Sequence, residues 1–178
     1  MRASVGNLVL AAVVGALLIV SGVHATPQTT CKAAANIDKR VNYDYCVSEL
    51  IGHPESLDKD AWGLAKIIAS LGEADAGAAM ADIEDLLAKP DTDEKLKAPL
   101  GQCHKLYDQI GAAFAEATDE INWRHYDIGK KKAAQVVPLV HQCDNAFVKA
   151  GVPSPLTKRS EDSLQLVIIC TAITNLIK

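Results

Sequence analysis

Apolar residues return at helical spacing along most of this chain, and no long apolar/polar alternation asks for a sheet. Leu64, Ile67, Ile68, Leu71, Ile83, Leu86 and Leu87 form one stripe, with Ala74, Ala78 and Ala79 between them. Ser56 or Asp58 is placed to cap the start of that helix, and Pro90 ends it, because the residue before a proline avoids helical geometry. Gly72 and Gly77 predict a kink or bend in its middle. A second helix is predicted over 94–121, with Pro99 in its early turns and Leu100, Cys103, Tyr107, Ile110, Phe114 and Ala117 along one face. A third spans 125–150 and closes at Gly151, with Pro138 kinking or dividing it. A fourth spans 160–177, with Ser160, Glu161 and Asp162 in its first turn and Leu166, Ile169, Ile173 and Leu176 as its buried stripe. Four such helices with short connections predict an all-α, up-and-down four-helix bundle over 53–178. The segment 26–52 is too short for another pair of that size and reads as a short helical hairpin.

The first 25 residues interrupt this pattern. Arg2 supplies a positive start, the run from Leu8 to Val20 is apolar or Gly, and Val23-His24-Ala25 suits cleavage after Ala25. That run is shorter than the ~20 residues a bilayer span needs. We therefore read 1–25 as a secretory signal peptide and 26–178 as one domain, exported and free of the membrane after cleavage. The apolar tail from Leu164 to Ile177 is broken by Gln165, Thr171, Thr174 and Asn175. A formal net charge of −4 counts against a nucleic-acid partner, which needs clustered Lys and Arg.

Export changes the meaning of the cysteines, since thiols outside the cell persist as disulfides. Sequence alone leaves the pairing of five cysteines open. Locality favours Cys31–Cys46, and Cys103–Cys143 would then tie the second helix to the third; Cys170, inside an apolar run, reads as a buried free thiol. Zinc-ligand spacing is absent, so no metal or other cofactor is expected. The chain has no nucleophile elbow, phosphate loop or dinucleotide fingerprint, and its acidic neighbours, Glu84-Asp85 and Asp119-Glu120, point apart on a helix. An exported chain without a visible reaction centre reads as a binder, not an enzyme.

Several segments, in order, resemble one family. They are Cys31-Lys32, Asn42-Tyr43-Asp44-Tyr45-Cys46 through Leu50, Trp62-Gly63-Leu64-Ala65, Leu100 through Tyr107, Gln142-Cys143-Asp144-Asn145-Ala146-Phe147, and Ser154-Pro155-Leu156-Thr157. Together they are similar to the plant invertase and pectin methylesterase inhibitors. The resemblance implies a hairpin followed by a four-helix bundle, with bonds Cys31–Cys46 and Cys103–Cys143. It also implies a protein of the cell wall, apoplast or vacuole that fills the cleft of a carbohydrate-active enzyme. The wide gap between the first two cysteines is similar to the branch that includes pollen-allergen-type invertase inhibitors. Acid-invertase inhibitors of the family carry a Pro-Lys-Phe element leading into the third bundle helix, and the equivalent place here holds Tyr126-Asp127-Ile128.

We therefore expect a monomer that blocks a pectin methylesterase one-to-one, with acid invertase as the second target. Two other classes compete: an apolar-ligand carrier, and a secreted signalling or defence module without an enzyme target. Tyr126, Asp127 and Lys130 are the candidate interface residues, because a tyrosine offers apolar area and a hydroxyl at once. Core packing explains Tyr126 equally well. Lys130-Lys131-Lys132, with Arg124 nearby, reads as a solvated face or as docking charge, and His125 is placed to make binding pH-dependent.

Overall fold

A computed structural model describes residues 25–177; the predicted export signal falls outside them except for Ala25. The described residues form seven α-helices, one 3-10 turn and no strand. Helices α1 (Pro27–Ile37) and α2 (Tyr43–Ile51) make the hairpin. Thr26 and Thr29 cap the start of α1 reciprocally, and Asn42 caps α2 by accepting the Tyr45 N–H at 3.1 Å. The Cys31–Cys46 bond joins the two helices, their Cα atoms 5.9 Å apart. A 3-10 turn, Pro54–Asp58, leads to the bundle.

The bundle starts with α3 (Ala61–Ala88), and Asp60 caps it by accepting the Gly63 N–H at 2.9 Å. Neither predicted cap serves. Ser56 is buried in the 3-10 turn and donates its hydroxyl to the Leu50 carbonyl, and Asp58 ends that turn. Helix α3 also runs unbroken through both glycines. Gly72 is there for proximity: a Cβ on it would lie 2.5 Å from the ring of Phe114. Absence of a side chain lets α3 and α4 approach closely, which is a packing reason for glycine here.

Helix α4 (Glu94–Asn122) carries Pro99 in its second turn, and Asp93 caps it. The third predicted helix is divided into α5 (Tyr126–Ala134) and α6 (Val136–Ala150). Pro138 is the third residue of α6, where its missing N–H has no acceptor to lose, so proline starts a new helix after the break at Gln135. Gly151, at φ 68°, closes α6 in the left-handed conformation. Helix α7 (Thr157–Thr174) begins and ends earlier than the sequence pattern suggests. Ser160 is therefore a buried residue inside it, donating to Asp144 at 2.7 Å, and Leu176 lies past its end.

In space, α3 packs on α4 and α7, α4 on α5 and α6, and α7 on α5 and α6, closing a four-cornered bundle. Tyr107, Phe114 and Phe147 are the largest side chains in its core, among Leu64, Ile68, Ile110 and Leu166. Cys103–Cys143 pins α4 to α6 with Cα atoms 4.9 Å apart. Cys170 is buried and unbonded, and burial pushes its thiol up to about 12. Among the described residues no helix is long and apolar enough to cross a membrane.

Candidate docking surface

At one end of the bundle the chain reverses between α4 and α5 within three residues. Backbone bonds from Trp123 to Asp119 (2.9 Å), Arg124 to Ile121 (3.0 Å) and His125 to Glu120 (2.8 Å) tie the reversal down. Arg124 makes the turn at φ 66°, a left-handed conformation that costs a non-glycine residue about 1 kcal/mol. Gly129 lets α5 lie against α4: a Cβ there would stand 2.7 Å from Ile121 Cγ1 and 3.3 Å from the Ala117 carbonyl oxygen. So tight a corner cannot cover its own tip. Trp123 is left 60% exposed and Ile128 45% exposed.

Helix α3 adds a second tryptophan beside this corner. Trp62 donates its indole N–H to the Ile121 carbonyl at 2.9 Å, which fixes the ring at the start of α3 against the end of α4. The Lys66 ammonium sits 3.8 Å from the ring centroid and the Arg124 guanidinium 4.9 Å from it, both within cation–π range. Lys66 also donates to Asn122 Oδ1 at 3.0 Å. Neither cation is paired with a carboxylate among the described residues. Next to them an open groove of about 530 Å³ runs between α3 and α4, with Ile67 and Leu71 among the apolar residues and Ser70 and Thr118 among the polar ones that line it.

The residues predicted from sequence all fall at this corner, but they are more occupied than expected. Tyr126 is half-buried and packs its ring on the core, while its hydroxyl lies 3.4 Å from an Arg124 nitrogen, so it serves packing and turn together. Asp127 is exposed and pairs with Lys130 at 3.0 Å. Lys130 also donates to Asn175 Oδ1 at 2.9 Å, tying α5 to the end of α7. His125 shares a hydrogen with Glu120 at 2.9 Å and meets Trp123 edge-on at 6.4 Å. Lys132 pairs with Glu116 across to α4 at 2.6 Å, so the basic run is partly spent on internal ion pairs.

The sequence pattern does not mark the two tryptophans or Ile128 as interface candidates. The available signal was a tryptophan placed right at a predicted helix end, in a chain with only two. Exposed aromatic area beside arginine is the composition that dominates protein interfaces, whereas lysine and aspartate contribute less there. Among the described residues, no three or more His, Cys, Asp and Glu side chains gather to hold a metal. His104, far from this corner in sequence, pairs with Glu84 at 2.9 Å.

A disulfide-pinned helical bundle, with Trp123 and Ile128 exposed at one corner beside two cations that no carboxylate among the described residues neutralises, has the make-up of a protein-binding module. Its sequence matches the pattern of the family described as "Plant invertase/pectin methylesterase inhibitor" over residues 25–173. The chain is 48% identical over 158 residues to "Pectinesterase inhibitor 8" of Oryza sativa subsp. japonica, covering 88% of this chain and 86% of that one. It is 44% identical over 158 residues to "Pectinesterase inhibitor 12" of the same plant, covering 88% and 76%. It is 32% identical over 151 residues to "Putative invertase inhibitor" of Platanus orientalis, covering 84% and 88%. The chain belongs to the plant invertase/pectin methylesterase inhibitor family.

Proposed function

We propose that this protein is an exported inhibitor that blocks a plant cell-wall pectin methylesterase by one-to-one docking, with no catalytic step of its own. The observation that carries the docking site is the corner where Trp123 and Ile128 stand exposed beside the Arg124–Trp62–Lys66 stack. Trp123 is the anchor. Arg124 and Lys66 supply unpaired positive charge to steer and orient the target, and His125, Tyr126, Asp127 and Lys130 hold the corner in shape and border the contact. The two rice relatives named as pectinesterase inhibitors support the choice of target. The relative named as an invertase inhibitor, at 32% identity, supports acid invertase as the second reading.

The test is titration of purified pectin methylesterase and of acid invertase with the oxidised mature chain. Stoichiometric loss of methylesterase activity is expected. Trp123→Ala, with its bundle intact by circular dichroism, should weaken inhibition by roughly 30-fold, the effect of losing a ~2 kcal/mol hot spot. Inhibition of invertase alone overturns the target, and full potency of Trp123→Ala overturns the docking site.

A further inference from the structure

No disulfide ties the hairpin to the bundle. Cys31–Cys46 closes α1 on α2, and Cys103–Cys143 closes α4 on α6. Docking of the hairpin therefore depends on the packing of α1 against α7 and α2 against α3, and on a few polar contacts. Gln165 of α7 provides two of them, accepting the Asn42 N–H at 3.1 Å and donating to the Arg40 carbonyl at 3.2 Å.

Farther along this seam the groups are charged. Tyr45 and Glu49 lie one turn apart on the same face of α2, both half-buried. Around them stand Asp75 of α3, Lys158, Arg159 and Asp162 of α7, and His53 in the chain that follows α2. Both cations of α7 are already engaged. Arg159 bridges Asp75 at 2.7 Å and Asp82 at 2.8 Å, while Lys158 holds Asp162 and sits 5.5 Å from the Tyr45 ring centroid. Asp75 also accepts the Ser163 hydroxyl at 3.2 Å. Glu49 forms no ion pair among the described residues.

We propose that Glu49 is a proton-operated latch: with its carboxyl protonated the hairpin beds firmly on α3 and α7, and its ionisation loosens that seam. Burial, then the negative charges of Asp162 and Asp75, hold the Glu49 carboxyl above the usual carboxylate range, against the pull of Lys158 and His53. A carboxyl raised by folding contributes stability that is complete below its unfolded value and is lost as pH rises through the folded one. The hairpin is therefore docked most tightly in acid and opens more readily towards neutrality. Tyr45 adds no charge over that interval, since burial and the same carboxylates raise its hydroxyl further still. The latch is a property of the free protein and does not depend on which enzyme it inhibits.

Native-state amide exchange of the whole mature chain, corrected for intrinsic rates, reads it directly. The opening constant of residues 27–51, referred to that of α4, should rise by about threefold or more between pH 4.5 and pH 7 in the wild type. In Glu49→Gln most of that rise should vanish, leaving only what the Asp75 carboxyl, also held up by burial, contributes. A flat wild-type profile, or an unchanged rise in Glu49→Gln, overturns the latch. A carboxyl-carbon NMR titration needs no variant: a Glu49 midpoint at or below that of exposed glutamates in the same protein overturns it as well.

Discussion

Replacing Gly72 by alanine adds one methyl group where α3 crosses α4. In the native structure that carbon would stand 2.5–2.6 Å from three carbons of the Phe114 ring. Carbon atoms in contact prefer about 3.5–4.0 Å, so the overlap is about 1 Å against a rigid ring. Phe114 is fully buried and cannot swing away into solvent. Overpacking of this kind costs ~1–3 kcal/mol. Against it stands the intrinsic gain of ~0.5–1 kcal/mol from removing a glycine inside a helix. The steric cost wins, and Gly72→Ala should lose about 1–2 kcal/mol. Gly77 is the internal control. It lies in the same helix, is exposed, and a Cβ there meets nothing within 4 Å. Gly77→Ala should therefore gain ~0.5–1 kcal/mol. Guanidinium unfolding followed by helical circular dichroism measures both, with the m-value held constant as a check on the denatured state. Adding Phe114→Leu to Gly72→Ala should recover part of the loss as a coupling energy, since the two residues touch. A Gly72→Ala protein as stable as the wild type, or both alanine variants shifting in the same direction, refutes the packing argument and returns Gly72 to the role of a helix weakener.

Three further outcomes follow from the core, the cross-links and one surface pair. The Tyr107 hydroxyl is buried without a hydrogen-bond partner, although Ser160 and Ser163 lie nearby, and burial pushes it up to about 12; Tyr107→Phe should gain ~1 kcal/mol in the same unfolding assay, and a loss of that size would refute the reading. Removing Cys103–Cys143, which closes a separation of 40 residues, should cost ~4 kcal/mol, and removing Cys31–Cys46, which closes 15, ~3 kcal/mol; thermal melts of the paired Cys→Ala variants should rank in that order. Arg40 holds the Asp38 carboxyl down at about 2, so its contribution is present above the ordinary value of 3.8 and vanishes as pH falls through 2; the melting difference between wild type and Asp38→Asn should close over that interval, and a difference that persists below it would assign the effect to something other than charge.

Much of this fold is written in local pattern. Helical period, Asn42 and Asp93 at helix starts, Pro90 and Gly151 at helix ends, and a pair of short helices before a bundle all depend on residues within one or two turns of each other. The break at Gln135, three residues before Pro138, is equally local. Where the pattern misled, a partner distant in sequence was responsible. Ser160 has the chemistry of a first-turn residue, yet Asp144 on α6 takes its hydroxyl and the core encloses it. Gly72 has the chemistry of a weak point, yet Phe114 occupies the space beside it.

The proposed docking corner divides in the same way. The placing of His125, Tyr126, Asp127 and Lys130 at one turn was legible because they follow one another at a predicted helix start. Trp62 and Trp123 lie 61 residues apart, and nothing short-range says that they share a surface. They come to one corner because Gly129 admits α5 against α4, and because the Trp62 N–H reaches the Ile121 carbonyl at the end of α4, which also accepts the Arg124 N–H. Sequence alone determined the helical class, the order of elements and the family, since each rests on short-range chemistry repeated along the chain. Only tertiary packing decided which apolar side chains stay outside, because exposure is what remains after every helix has chosen its neighbours.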